Sequence, residues 1–195
     1  MKKVKEYVAN NEEETKEIAR EIFLNEIQKT LEKERKREKE KDKDKEKNKN
    51  EDENKEENKN YVLNIILNGD LASGKTKFVE GILEYFKLEN EISSPTFTIV
   101  NEYIKDEKFN FFGKDFLFTL NHFDVYRLSD SSEFYDSGLL EYIVEDETKG
   151  KIDKIKVNLI EWGLEIEDVF NKDFVLVDIK KLDLNKRKIT VLERE

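Results

Sequence analysis

Cysteine is absent from the 195 residues, which excludes a disulfide framework, a thiolate zinc site and a cysteine nucleophile. That fits a reducing, cytoplasmic setting. No stretch approaches the roughly 20 apolar residues that a membrane helix needs, and the Lys/Glu-rich N-terminus has no apolar signal core. No membrane association is expected. Positive charge is in deficit, with 36 Lys and Arg against 46 Asp and Glu and a net charge of −10. An acidic surface repels phosphate backbones, so any contact with RNA is expected to run through a partner. Between Glu32 and Asn60 even apolar residues run out: 12 Lys and Arg face 12 Asp and Glu, and the net charge of this tract is zero. The whole of the −10 therefore falls on the other 166 residues.

What remains has the layout of one domain, 1–195, interrupted at about 32–60 by the polar tract. Ordering a backbone costs about 1–2 kcal/mol per residue, and this tract has no apolar burial to offset it. A mobile insert is the expectation, although opposite charges at i,i+3 would also let a helix continue into it. Ahead of it, Val4–Ala9 reads as a short edge strand. Asn10 and Asn11 before Glu12, Glu13 and Glu14 mark a helix start, and Ile18, Ala19, Ile22, Phe23, Ile27 and Leu31 give that helix one apolar face. After the tract, Tyr61–Leu67 is a continuous β-prone run suited to a strand buried on both sides. Phe78, Val79, Ile82, Leu83 and Phe86 form a helical stripe, Phe116–Val125 and Val157–Ile160 read as strands, and 174–180 with 188–192 reads as an antiparallel C-terminal pair around Asp183, Leu184 and Asn185. The order implies an α/β fold with a mostly parallel sheet flanked by helices.

Directly after the first buried strand stands Gly69-Asp70-Leu71-Ala72-Ser73-Gly74-Lys75-Thr76, which matches the phosphate-binding pattern Gly-x-x-x-x-Gly-Lys-Ser/Thr at every fixed position. Strand and helix flank it where the motif requires them. In such a P-loop the backbone N–H groups face the phosphates and the following helix adds its N-terminal dipole. Lys75 then reaches the β and γ oxygens, and the Thr76 hydroxyl ligates Mg2+. ATP with Mg2+ is the expected substrate.

Two acids compete to complete the site. Asp124 and Glu161 end their strands next to the loop, where nucleotide sites open in parallel sheets. One would hold the cation and the other would orient the attacking water. His122, the chain's one histidine, stands two residues before Asp124 in mid-strand and reads as a packed or hydrogen-bonded side chain. Trp162, the one tryptophan, follows Glu161. Ser94-Pro95-Thr96 reads as a loop, since Pro95 pushes Ser94 toward extended geometry and Thr96 and Thr98 offer hydroxyls in a place where nucleotide switches often lie.

With those residues in view the chain resembles the bacterial TsaE (YjeE) family, the ATPase component of tRNA threonylcarbamoyladenosine synthesis. The likeness rests on Gly69–Phe78, Ser94–Tyr103, His122–Leu128 and Leu159–Trp162, with Glu133–Phe134 through Gly138–Leu139 and Tyr142 between the last two. It implies that Lys75 and Thr76 bind phosphate and Mg2+, that Glu161 is the second metal ligand, and that Asp124 serves hydrolysis with Lys75. It also implies a switch formed by Thr96, with Thr98 the second choice, and coupled to the nucleotide through Trp162. TsaB and TsaD would be the partners, the ATPase would reset their complex, turnover without them would be slow, and tRNA would be met only through that complex. Ala72 and Ser73 stand where the family usually has Gly and Ala, and Gly163 stands where Pro is common. Ala72 tolerates positive φ less readily than Gly, which bears on the loop's shape. A small-molecule kinase is the alternative, but outside the insert the arginines are only Arg20, Arg127, Arg187 and Arg194, few for a transferring phosphoryl group. A GTPase is disfavoured because Asn171-Lys172-Asp173 sets the acid one residue early for the guanine-reading pattern.

Overall fold

The computed structural model describes residues 1–45, 59–88, 95, 98–143, 152–170 and 173–193. Among these residues seven strands form one sheet in the order β1-β7-β6-β2-β5-β4-β3. They are β1 (Lys2–Ala9), β2 (Asn60–Asn68), β3 (Val100–Phe111), β4 (Lys114–Asp124), β5 (Lys154–Glu161), β6 (Val175–Lys181) and β7 (Arg187–Glu193). The central strands β6, β2, β5 and β4 are mutually parallel. β7 and β3 run the other way, and β1 pairs antiparallel with β7 at the edge. The α/β fold and the antiparallel C-terminal pair agree with the pattern of the sequence. β3 is an addition: Val100–Phe111, to which the sequence pattern assigns no element, forms a strand that folds back on β4 in a hairpin.

Helices α1 (Glu12–Lys45) and α2 (Lys75–Tyr85) cover one face. Asn11 caps α1, its Oδ1 accepting from Glu14 N at 2.8 Å, with the acids of the first turn near the positive end of the dipole. Ala19, Ile22, Phe23, Ile27 and Leu31 are buried, and Phe23 meets Phe86 edge-on at 5.5 Å while Phe86 stacks on Phe118 at 3.8 Å. The two helices cross in backbone contact, because a Cβ on Gly81 would lie 2.6 Å from Lys16 Cα. Salt bridges flank the crossing: Lys16 to Glu84 at 2.5 Å and Arg20 to Glu84 at 2.7 Å. α1 continues past its last apolar residue, Leu31, as far as Lys45. Lys, Arg and Glu are good helix formers, and Arg37 reaches back to Glu34 in an i,i+3 pair of opposite charge. The rest of the charged tract, 46–58, lies outside the described residues. No helix among the described residues is long and apolar enough to cross a membrane.

On the opposite face, α3 (Ser131–Asp136), α4 (Leu140–Ile143) and two short 3-10 turns over Gly163–Phe170 enclose a second core of Ile66, Phe123, Phe134, Ile160, Ile166 and Phe170. Three asparagines cross the sheet on this side. Asn158 donates to Asn64 Oδ1 at 2.8 Å and accepts from Asn121 at 2.9 Å. They occupy one level of β2, β5 and β4, since Asn64 and Asn121 are each registered with Asn158. The outer amides reach the carbonyls of Asp173 and Tyr142, so the ladder also fixes the segments that flank the sheet.

Glu26 on α1 is 5% exposed, and burial pushes its carboxyl up, against the hydrogen bond from Lys29 at 2.7 Å. A carboxyl with a raised folded-state pKa contributes stability at acid pH that is lost as pH rises through that raised value. Glu26→Gln is therefore expected to melt higher than the unmodified chain at pH 7.5, with the gap closing below the ordinary carboxylate range. Thermal melts at both pH values test this, and a variant less stable at pH 7.5 would show that the Lys29 ion pair outweighs desolvation.

Candidate functional site

The parallel strands deliver the site from their C-terminal ends. β2 ends at Asn68 and the chain turns through Gly69–Gly74 into α2. Gly69 has φ +143°, and a Cβ there would stand 2.3 Å from the carbonyl oxygen of Ile179 on β6, so only glycine fits between loop and sheet. Gly74 takes φ +113° at the start of α2. Ala72 adopts φ 60°, in the left-handed region that glycine enters more readily than alanine. Ser73 is buried, its hydroxyl without a hydrogen-bond partner.

Arg187, on β7, braces this loop. Its Nε donates to Ser73 O at 2.7 Å and its terminal nitrogens donate to the carbonyls of Ala72, Asp183, Leu184 and Lys186. Nothing local in the sequence announces this, because it depends on β7 lying two strands from β2. The positive side chain that faces the loop interior is Lys75. It is 4% exposed, its Nζ donates to Gly69 O at 2.7 Å and Asp70 O at 3.1 Å, and it sits 3.9 Å from the centre of the Trp162 ring. Burial pushes its ammonium below the ordinary lysine range, opposed by the carboxylates of Glu161, Asp124 and Asp70.

β5 and β4 bring the acids. Asp124 and Glu161 are register partners at the ends of adjacent parallel strands, but their surroundings differ. Glu161 is 5% exposed, and its Oε1 accepts from the Thr76 hydroxyl at 3.1 Å and contacts His122 Nε2 at 3.0 Å. Asp124 is partly exposed, with Oδ1 3.3 Å from Tyr126 N. Thr76 and Glu161 thus present hydroxyl and carboxylate oxygens side by side, a donor set suited to a small hard cation such as Mg2+. The imidazole that reads from sequence as a packed or hydrogen-bonded side chain is bonded to one of that pair.

A cleft of about 390 Å³ joins these groups: Lys75, Thr76, Asp124, Glu161 and Trp162 lie along it, and it continues over the loop to Asn11, Leu184, Asn185 and Arg187. Trp162 follows Glu161 with φ 65°, and its ring lies against Tyr126 at 5.1 Å. Ile99 has φ 68° and its carbonyl accepts from Asp124 N at 2.9 Å. A β-branched residue at positive φ is a genuine backbone outlier, and such residues cluster at functional sites. Thr98 Oγ1 donates to Asn101 at 2.8 Å. Thr96, the expected switch residue, lies outside the described residues.

The chain is similar to known proteins of one family. The family profile described as "Threonylcarbamoyl adenosine biosynthesis protein TsaE" matches residues 9–189. The chain is similar to curated proteins called tRNA threonylcarbamoyladenosine biosynthesis protein TsaE. From Rickettsia conorii the identity is 34% over 66% of this chain and 62% of that protein. From Bacillus subtilis it is 36% over 65% and 66%, and from Treponema pallidum 33% over 65% and 79%. The match thus spans less than two thirds of the Rickettsia protein's own length. The crystal structure of Bacillus subtilis YdiB aligns with 97% of this chain and 84% of its own at 22% identity, with a TM-score of 0.42.

The left-handed Ala72 gives a direct test of the loop's geometry. An L-residue in that region costs about 1–2 kcal/mol, while glycine's extra unfolded-state freedom returns about 0.4–1 kcal/mol of that. Ala72→Gly is expected to stabilise the protein by about 0.5–1 kcal/mol in urea unfolding, and Ala72→Val to destabilise it. A destabilising glycine would mean that Ala72 does not hold positive φ in solution.

Proposed function

This chain belongs to the TsaE family of threonylcarbamoyl adenosine biosynthesis proteins, and we propose that it acts there as a P-loop ATPase that binds ATP with Mg2+ and resets a TsaB–TsaD complex during tRNA threonylcarbamoyladenosine modification. The observation that carries this reading is the convergence of Lys75, the Thr76 hydroxyl and Glu161 Oε1 at the mouth of a glycine-bounded loop. Lys75 exchanges the carbonyls of Gly69 and Asp70 for the β and γ phosphate oxygens, while the loop N–H groups and the start of α2 take up the remaining negative charge. Thr76 and Glu161 hold Mg2+, which when bound neutralises charge on the phosphate oxygens. Asp124, more open to solvent than Glu161, orients the attacking water. TsaB and TsaD speed an otherwise slow hydrolysis, and tRNA is met only through their complex, in keeping with the net charge of −10.

The arginines count against a phosphoryl-transferring kinase. Arg187 directs its N–H groups to backbone carbonyls, and Arg20 lies on the α1–α2 crossing with Glu84 and Gly81. Neither is a lid that closes on a transferring phosphoryl group.

Thermal melting with and without Mg-ATP tests the nucleotide site. At about 100 times its dissociation constant, ATP is expected to stabilise the unmodified chain by roughly 2.7 kcal/mol. Lys75→Ala is expected to fold and to lose most of that gain, because a charge-assisted phosphate contact is worth about 1.5–3 kcal/mol. An unmodified chain whose melting temperature ignores Mg-ATP would sink the proposal.

The two acids are expected to fail differently, since a metal ligand acts on the bound ground state and a water-orienting acid acts on the hydrolytic step. Glu161→Gln should weaken ATP binding only where it depends on Mg2+. Asp124→Asn should bind Mg-ATP normally and lose hydrolysis stimulated by TsaB and TsaD. Magnesium titrations at fixed ATP, with turnover followed in parallel, separate the two. The opposite pattern would exchange their roles.

A further inference from the structure

We propose that His122 is a positioning residue for Glu161: its Nε2–H, donated to Glu161 Oε1 at 3.0 Å, holds that carboxylate against Thr76 in the geometry that the cation and the phosphates require. The inference rests on the Mg-ATP reading of the site and adds a residue to it.

The geometry leaves His122 little else to do. The side chain is 1% exposed, at the level of the core residue Leu120 beneath it, so it has no route to a substrate as an acid or base. β4 and β5 are parallel, with His122 registered to Leu159 and Asp124 to Glu161. The His122–Glu161 contact is therefore the diagonal between neighbouring strands on one face, a spacing that long side chains span. Both hydrogen bonds that Glu161 receives among the described residues land on Oε1, from Thr76 and from His122, which leaves Oε2 for a further ligand. The tautomer follows as well. A carboxylate oxygen only accepts, so Nε2 carries the proton and Nδ1, buried without a partner among the described residues, keeps a lone pair. The reverse tautomer would bury an unpaired N–H and set a lone pair against the carboxylate. Partners that orient metal-ligating side chains typically change metal affinity about 10–100-fold when removed. Deleting an N–H that holds Glu161 should therefore show first in the response to Mg2+.

Two variants separate positioning from mere packing: His122→Phe keeps a ring and removes the N–H, and His122→Gln keeps an N–H donor. Calorimetry of ATP binding is run across a magnesium titration and again in EDTA. His122→Phe is expected to raise the half-saturating Mg2+ concentration about 10–100-fold while leaving ATP binding in EDTA unchanged, and His122→Gln is expected to recover part of the loss. The double variant His122→Phe/Glu161→Gln should be no worse than Glu161→Gln alone, since both act on one interaction. Because the chain has a single histidine, long-range 1H–15N NMR of the unmodified protein reads its tautomer without any substitution, and a proton fixed on Nε2 is expected. A bare or rapidly averaging Nε2 overturns the assignment, as does a His122→Phe variant with unchanged magnesium response or with equal losses in Mg2+ and in EDTA. An unmodified chain that binds no ATP in either condition is the separate outcome that removes the functional reading itself.

Discussion

A lysine ammonium withdrawn from water costs several kcal/mol unless its surroundings answer the charge, and the burial of Lys75 imposes that demand on the whole upper end of the sheet. Its two hydrogen bonds go to carbonyls of its own loop, at Gly69 and Asp70. For those carbonyls to point inward the loop must bend tightly enough that Gly69 passes the Ile179 carbonyl with no room for a side chain. The outward carbonyls of Ala72 and Ser73 are then left for Arg187. The face of Trp162 covers the ammonium, and the carboxylates of Glu161, Asp124 and Asp70 stabilise its charge against desolvation. Phosphate oxygens are better partners than carbonyls, so on the proposed reading the loop would exchange one set of acceptors for another.

Where the acids stand is decided lower in the sheet. Asn121 and Asn158 lie side by side, three positions before Asp124 and Glu161 on their strands, and Asn64 joins them on β2. A slip of one residue between any two of these strands would move side chains from one core to the other and strand buried amides without partners. The ladder therefore makes the correct register the only one in which both Asp124 and Glu161 come level beside the loop. The hydrophobic alternation of β4 and β5 is compatible with that register, but apolar side chains alone specify it less sharply than paired amides.

The parts legible in the sequence were those whose physics is local. Gly69–Thr76 announces its conformation because glycines and lysine at fixed spacing have few other uses, and the acids at strand ends follow from where apolar runs stop. The left-handed Ala72 was anticipated as a tension and occurs as one, at φ 60°. β3 was not legible, since its middle, Lys105-Asp106-Glu107-Lys108, is polar and only its hairpin with β4 makes it a strand. His122 reads from sequence as a packed or hydrogen-bonded side chain and is one, but its partner Glu161, 39 residues away, and the contact of Arg187 with Ser73, 114 residues away, arise only through strand order and register. The length of α1 turned on two small opposing effects, helix propensity and backbone entropy, and the structure continues the helix to Lys45.

The scarcity of positive charge at the site joins these observations. Among the described residues Lys75 and Arg187 are the cationic side chains hydrogen-bonded to the loop, and Arg187 directs its donors to carbonyls. Lys77, the other cation along the cleft, is hydrogen-bonded to Glu80 at 2.8 Å. A bound triphosphate would therefore be neutralised by Lys75, the loop amides, the start of α2 and a divalent cation. With so few cationic side chains, the hold on such a cation would depend strongly on where Glu161 points. In a low-dielectric site a misplaced carboxylate loses electrostatic energy steeply, so a buried N–H that fixes its direction is worth more here than at a site with arginines to spare. Arg187 braces the loop, the bond from His122 would on the proposed reading brace the acid, and Lys75 would be left to turn toward the phosphates.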